Sequence, residues 1–491
     1  MATAKVFYVG GAHMAKITIV GAGSIIFGTT LLNDLFQVDA LKGSTIALTG
    51  PTLGKLEKMK AYTDTVIEKN GIDMNVYCTT DRRDALKGAD YVLLIFQIGG
   101  IDAYEVDVNI PFKYGIDQCV GECVGPGGVF RALRSIPVIR DISHDMEELC
   151  PGAVLLNYVN PMCSNSIAIG KSSSIQFIGL CHGIQTTLDL LAGYAGVKKE
   201  EIDFLAAGIN HMAWFLRLEK DGKDLYPILR ERIEKPEYYL DEKVRGEVMR
   251  HFGYFMTESS GHLSDYLYWF RKNRELMDRY CDRPGLGGES TFAVRYKKAS
   301  YEFFSGFDVF SLDDGTLHPR SVEYCSYVIE AMEGGPAFKM NGNVINKGFI
   351  TNLPDDCCVE VPVYIDRMGL HPMGVGDLPP QLAALNQSNV TLQLLAAEAA
   401  LTGDPELAFA AVAMDPLTSA VLSLKETRDM VIEMFEASRK WLPQFEGKKL
   451  AKRDHILIPE GTKPHPTPVD PALAITQRFV KLAEAMQNAK R

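Results

Sequence analysis

Residues 16–28 read KITIVGAGSIIFG, and this stretch decides the fold class. Lys16–Val20 is rich in β-branched residues and reads as a short buried strand. Gly21 and Gly23 follow at once, and Leu31, Leu32, Leu35 and Phe36 then fall at helical spacing. A strand, a glycine turn and a helix in that order predict a dinucleotide-binding unit. The glycines let the backbone turn tightly and approach a pyrophosphate, which rests on the helix N-terminus. Gly28 stands at the eighth position of the pattern, where the sixth is usual, so the turn has to be read in its context.

Working outward, strand-like runs occupy residues 45–48, 75–78, 91–96, 154–159 and 177–180. Helical patterns over 53–68 and 129–149 lie between them. Such alternation predicts a parallel sheet with right-handed crossovers. The expected fold is α/β: a Rossmann-type domain over residues 15–195 and a larger α+β domain over 196–491, of the lactate/malate dehydrogenase-like kind. The second domain is expected to carry substrate contacts and oligomerisation. Residues 382–401, 427–438 and 472–486 read as helices there, and 357–362 as a buried strand. Residues 462–471, with four prolines, read as a linker to a final surface helix.

The dinucleotide pattern lacks one part. A carboxylate that accepts from the ribose 2′-hydroxyl is expected after the second strand. The chain instead reads Leu48-Thr49-Gly50-Pro51-Thr52. Small residues with Lys55 nearby would admit the 2′-phosphate of NADP. NAD is the expected cofactor and NADP its alternative.

Composition excludes several classes. The chain has 491 residues, 46% of them hydrophobic, enough for a large core in more than one domain. A net charge of −11 without a basic run argues against a nucleic-acid partner. No apolar run is long enough to cross a bilayer, and residues 1–14 show no secretory segment. Those residues resemble a cloning remnant and are set aside. The expected setting is cytoplasmic, with ten reduced cysteines.

Three clusters bear chemistry. Gly121–Gly128 is glycine-rich, contains Glu122 and reads as a loop leading into a helix. Cys181 follows a strand, and His211 stands 30 residues on; a thiolate and an imidazole suit a borderline-soft divalent metal. His182 has a weaker claim. Residues 257–270 mix polar and aromatic groups of the kind that line sugar sites, with rings for pyranose faces and polar groups for hydroxyls. Each cluster also has a purely structural explanation: a turn, a buried thiol or a helix interior.

In order along the chain, these motifs resemble family 4 of the glycoside hydrolases, which use NAD and a divalent metal, usually manganese. The match runs from about residue 16 to 442. It includes GAGSIIFG from Gly21, GPGGVFRALR from Gly125, NYVNPM from Asn157, GLCHG from Gly179 and GINHMAW from Gly208. ESSGHLSDY from Glu258, NLPDDCCVEVP from Asn352 and VGDLPPQLAALNQ from Val375 continue it. The resemblance implies that Gly21, Gly23 and Ser24 hold the cofactor and that Cys181 and His211 bind the metal. It implies a sugar contact at Asn160, a base at Tyr266 and an acidic group beside the leaving group at Glu122. Glu122 and Gly50 both depart from the nearest pattern, where Asp is usual. The implied reaction is glycoside hydrolysis by transient oxidation at C3, deprotonation at C2 and elimination at C1. The pattern is nearest the α-galactosidase and α-glucosidase branches. α-Galacturonidase, 6-phospho-glycosidase and 2-hydroxy-acid dehydrogenase activities are the alternatives. The partners implied are a small glycoside and further copies of the chain, in a homodimer or homotetramer.

Overall fold

The computed structural model describes residues 14–23, 25–305, 314–468 and 470–489. One compact unit runs to Lys452, and Arg453–Arg491 form a second. Six strands build the parallel core: β1 (Lys16–Val20), β2 (Thr45–Thr49), β3 (Asn75–Thr79), β4 (Tyr91–Leu94), β5 (Val154–Asn157) and β6 (Gln176–Gly179). Their order is β3-β2-β1-β4-β5-β6, all pairs parallel. The order reverses between β1 and β4, and in such sheets ligands bind at that reversal, beyond the strand C-termini. The helices between are α1 (Ile25–Leu35), α2 (Leu53–Asn70), α3 (Arg82–Leu86), α4 (Gly100–Lys113), α5 (Gly125–Leu149), α6 (Met162–Ser172) and α7 (Gly183–Ala195). All four residues of β4 and of β5 are buried, because helices cover both faces of a parallel sheet.

The sheet continues past β6. Strands β7 (Asp203–Ile209), β8 (Met212–Lys220), β9 (Lys223–Asp224), β10 (Phe338–Ile345), β11 (Cys358–Asp366) and β12 (Gly369–Pro372) extend it to twelve. β10 joins the parallel core antiparallel to β6, through Asn343 opposite Gly179. β11 in turn meets β7 at Glu360 opposite Gly208. Glycine is required at the first joint: a Cβ on Gly179 would fall 2.3 Å from Met162 Sδ and 2.8 Å from Asn343 Cβ. The α/β architecture with a Rossmann-like core is therefore as expected, and the residues after 195 add strands to the same sheet.

Three local differences bear on the site. Strands β4 and β5 stop at Leu94 and Asn157, two residues before the expected ends. Ile95, Phe96, Tyr158 and Val159 follow the strands and line a cleft. Helix α5 begins at Gly125, four residues before the expected start, so GPGG is its first turn and not a loop. A Cβ on Gly127 would meet the Gly121 carbonyl oxygen at 2.6 Å, and one on Gly128 the Cys123 carbonyl carbon at 2.5 Å. Those glycines let the first turn of α5 pack directly on the segment carrying Glu122. Arg134 of α5 and Asp107 of α4, both wholly buried, fix the two helices with a two-pronged ion pair at 2.8 and 2.6 Å.

Residues 471–488 form the final helix, Pro471–Asn488, capped by Asp470. Among the described residues no helix is long and apolar enough to cross a membrane. All ten cysteines are free.

Candidate active site

A cleft of about 1080 Å³ lies beyond the C-terminal ends of the parallel strands. Gly21 and Gly23 line one end; Glu122, Asn160, Cys181, His211 and Glu258 line the other. The glycine turn is shaped by backbone needs. Gly21 has φ +94°, and a Cβ there would meet Phe96 Cβ at 2.8 Å. Its amide donates to the Thr49 carbonyl at 2.9 Å, tying the turn to β2. The turn thus offers a bare backbone against which a pyrophosphate fits. Ser24 lies outside the described residues.

At that other end, Asn160 follows β5 and precedes a cis peptide bond to Pro161. Its Nδ2 donates to Glu122 Oε1 at 3.2 Å. Glu122 Oε2 accepts from Lys297 Nζ at 2.7 Å and Arg131 Nη1 at 3.1 Å. Burial alone would raise this carboxyl's pKa; the Lys297 and Arg131 charges outweigh it and hold the group well below the usual range. Glu122 is therefore an ion-paired carboxylate at neutral pH. Two cations on one carboxylate oppose its protonation.

At the far end three elements meet. Cys181 follows β6, His211 turns the chain between β7 and β8, and Glu258 precedes the short helix Ser260–Tyr266. One ligand atom from each lies within 4.8 Å of the other two. Cys181 Sγ stands 3.9 Å and His211 Nε2 3.7 Å from Glu258 Oε2. His211 and Glu258 hold φ at +62° and +69°, conformations that non-glycine residues adopt only when their surroundings impose them. Arg245 does so for Glu258: its Nη1 donates to the Glu258 carbonyl while its Nε pairs with Glu242 at 2.6 Å.

The three side chains fit a divalent metal. Sulfur, nitrogen and oxygen donors converge, and three protein ligands leave room for a substrate. Burial pushes the His211 pKa down to about 4, against the pull of the Glu258 charge, so the imidazole is neutral and free to ligate at pH 7. Burial, then the charges of Glu258 and Glu360, push the Cys181 thiol up.

His262 was not singled out in the sequence. It lines the cleft, with Nδ1 2.7 Å from Ser259 Oγ and 3.7 Å from Glu258 Oε1, and its ring meets the His211 ring edge-on at 4.7 Å. His182 lines the cleft as well, paired with Glu323 at 2.8 Å. Tyr266 is not brought to the cleft. Its ring is 2% exposed in the core, and burial, then Cys123 and Cys163, push its hydroxyl well above the usual range. Glu258, Arg131 and Lys297 completed the site without a spacing that announces them. Cys181 and Glu258 stand 77 positions apart in the chain, too far for a spacing signal.

Residues 16–197 match the model of family 4 glycosyl hydrolases, and residues 206–418 match the model of their C-terminal domain. The chain is 39% identical to an alpha-galactosidase of Rhizobium meliloti (strain 1021), over 88% of this chain and 89% of that one. It is also 39% identical to an alpha-galactosidase of Bacillus subtilis (strain 168), over 88% of this chain and all of that one. Its fold resembles the 6-phospho-beta glucosidase of Thermotoga maritima, solved with manganese, NAD+ and glucose-6-phosphate. The TM-score is 0.72 at 20% identity, over 87% of this chain and 99% of that one. With both family models matched and a 39% identical relative spanning most of its length, the chain belongs to glycosyl hydrolase family 4 and is a glycosidase.

Proposed function

We propose that the chain hydrolyses α-galactosides, with a nicotinamide dinucleotide (NAD or NADP) and manganese as cofactors. One observation carries this reading: a single cleft joins the Gly21–Gly23 turn to the Cys181–His211–Glu258 set. A redox cofactor and a metal can therefore meet one sugar. The relatives of 39% identity support the galactoside, and the Thermotoga neighbour's contents support NAD and manganese.

When bound, the dinucleotide would supply a reversible hydride acceptor and the metal Lewis acidity at the reacting oxygens. The chain's own residues do the rest. Asn160 and the charged Glu122 bind sugar hydroxyls, with Arg131 and Lys297 fixing the Glu122 carboxylate. We assign removal of the proton at sugar C2 to His262, which faces the cleft beside the metal set. Tyr266 suits that role less, because its buried hydroxyl meets Cys123 and resists ionisation. Cytoplasmic action suits ten free thiols. Association of copies, as a homodimer or homotetramer, is supported by the apolar stripe of the final helix.

The test is a panel of nitrophenyl glycosides with stripped enzyme, manganese and either dinucleotide under reducing conditions. α-Galactoside should turn over without accumulating reduced cofactor. Preference for an α-glucoside, α-galacturonide or 6-phospho-glycoside would replace the substrate. Net cofactor reduction with lactate or malate would replace the reaction itself.

A further inference from the structure

We propose that the nucleotide end of the cleft is a subsite for a ribose 2′-phosphate, so that the chain takes NADP in preference to NAD. This rests on the dinucleotide reading above. In a sheet of this order the adenosine ribose lies at the end of β2, where a carboxylate selects NAD and a cation accommodates the phosphate of NADP. Here Gly50, Thr52 and Lys55 line the cleft after β2, and Thr80 and Arg82 line it after β3. The carboxylates that line the cleft among the described residues are Glu122 and Glu258, both at the sugar end. Asp81 is near in sequence, but its carboxylate caps α3, accepting from the Arg83 and Asp84 amides.

Glycine at position 50 is not demanded by the backbone. Its φ lies outside the left-handed region, and a Cβ there would meet only Leu56 Cδ2, at an ordinary 3.7 Å. A carboxylate would fit, so its absence is a chemical difference and not a steric one. The cations are in place. Lys55 runs along the glycine turn, its Cβ and Cδ 3.3 and 3.5 Å from where a Gly23 Cβ would stand. Its side chain is exposed, with no hydrogen bond or ion pair to a described residue. Arg82 is held by Asp145 through Nε, at 2.8 Å, and Nη2, and Arg83 shares that same carboxylate. Lys55 and Arg82 both line the cleft, and ammonium and guanidinium groups are the cations that a phosphate dianion favours.

Lys55 could instead serve the pyrophosphate, which NAD and NADP share, so the affinity ratio is what decides. The experiment is calorimetric titration of the full-length, cofactor-stripped protein with NAD and with NADP, without substrate. NADP should bind at least about tenfold tighter, the gain typical of hydrogen bonds to a charged group. Lys55→Ala should bring the ratio close to one while NAD affinity stays unchanged. Gly50→Asp should invert it by placing a negative charge against the phosphate. Lys55 is exposed, so its variant carries the test even if Gly50→Asp fails to fold. Equal or tighter binding of NAD to the native chain would overturn the proposal. So would an equal loss for both dinucleotides in Lys55→Ala, which would place Lys55 on the pyrophosphate. Binding of neither would overturn the dinucleotide reading together with this one. Tight NADP binding without glycoside turnover would sustain this subsite and count against the proposed reaction alone.

Discussion

Cys181 is a half-buried thiol whose pKa is raised by desolvation and by the neighbouring Glu258 charge. A metal requires the thiolate, so uptake must expel that proton. His211, lowered to about 4, has no proton to give at pH 7. Manganese binding at pH 7 should therefore release about one proton per ion, seen as a dependence of the calorimetric enthalpy on buffer ionisation. Cys181→Ser should abolish the release. Glu258→Gln and His211→Ala should weaken binding without changing its proton count; equal affinity in all three variants would refute the set. The same scale settles the base. In heavy water the elimination route places deuterium at C2 of the product, which two-carboxylate hydrolysis never does. His262→Gln should lose both turnover and label, while Tyr266→Phe, removing a hydroxyl buried against Cys123, should keep the label. Loss of label in Tyr266→Phe alone would return the role to Tyr266. Cys181, His211, Glu122 and Asn160 were legible because each stands at a strand end or in a glycine segment. His262 was not, because a histidine inside a polar helix start carries no spacing signal.

At the scale of elements, strands and helices of the parallel core were legible because buried parallel strands are continuous apolar runs. The start of α5 was not, since Gly125-Pro126-Gly127-Gly128 has turn chemistry, while its helical form packs against residues 107, 121 and 123, distant or local contacts that periodicity does not report. A second contact of this kind caps the short helix Pro416–Val421. Asp415 is wholly buried and accepts from both the amide and the hydroxyl of Thr418 at 2.8 Å. Burial outweighs those bonds and raises its pKa to about 6. The sign follows from which state holds the proton. Below about pH 4 both folded and unfolded chains are protonated here; between about 4 and 6 only the folded chain is. The cap's contribution is thus complete in acid and falls as pH rises through about 6, by about 3 kcal/mol at 1.36 kcal/mol per unit. Asp415→Asn carries no such titration. Relative to the native chain, its melting temperature should be higher at pH 7 than at pH 4.5. A difference that does not change with pH would mean that the carboxyl titrates normally.

The whole molecule shows what sequence periodicity leaves out. Strands β10 and β11 enter the sheet between β6 and β7 although more than 120 residues separate them in the chain, and Glu258 reaches His211 because Met256 bridges Trp214 of β8. Local pattern reports which residues form a strand, and pairing at single glycine positions such as Gly179 and Gly208 leaves no trace in it. The final helix poses the opposite case, a plain apolar pattern. Ile475, Phe479, Leu482 and Met486 recur at 4-3-4 spacing, each 58–69% exposed. That narrow seam is what helices use to pair with one another. Left in water, four large apolar side chains cost several kcal/mol at about 25 cal/mol per Å². Association between copies of the chain would remove that cost. The large core ends at Leu450, within the first unit, so a chain ending at Lys452 keeps every residue of it. Such a truncated chain should melt within a few degrees of the full protein and keep its dinucleotide affinity. Its mass by analytical ultracentrifugation should fall to a smaller assembly than that of the full chain. Phe479→Glu with Leu482→Glu, in the full chain, should have the same effect by charging the seam. Unchanged mass in both would show that the first unit alone makes the assembly, and a large drop in melting temperature would show that the helix stabilises its own chain instead.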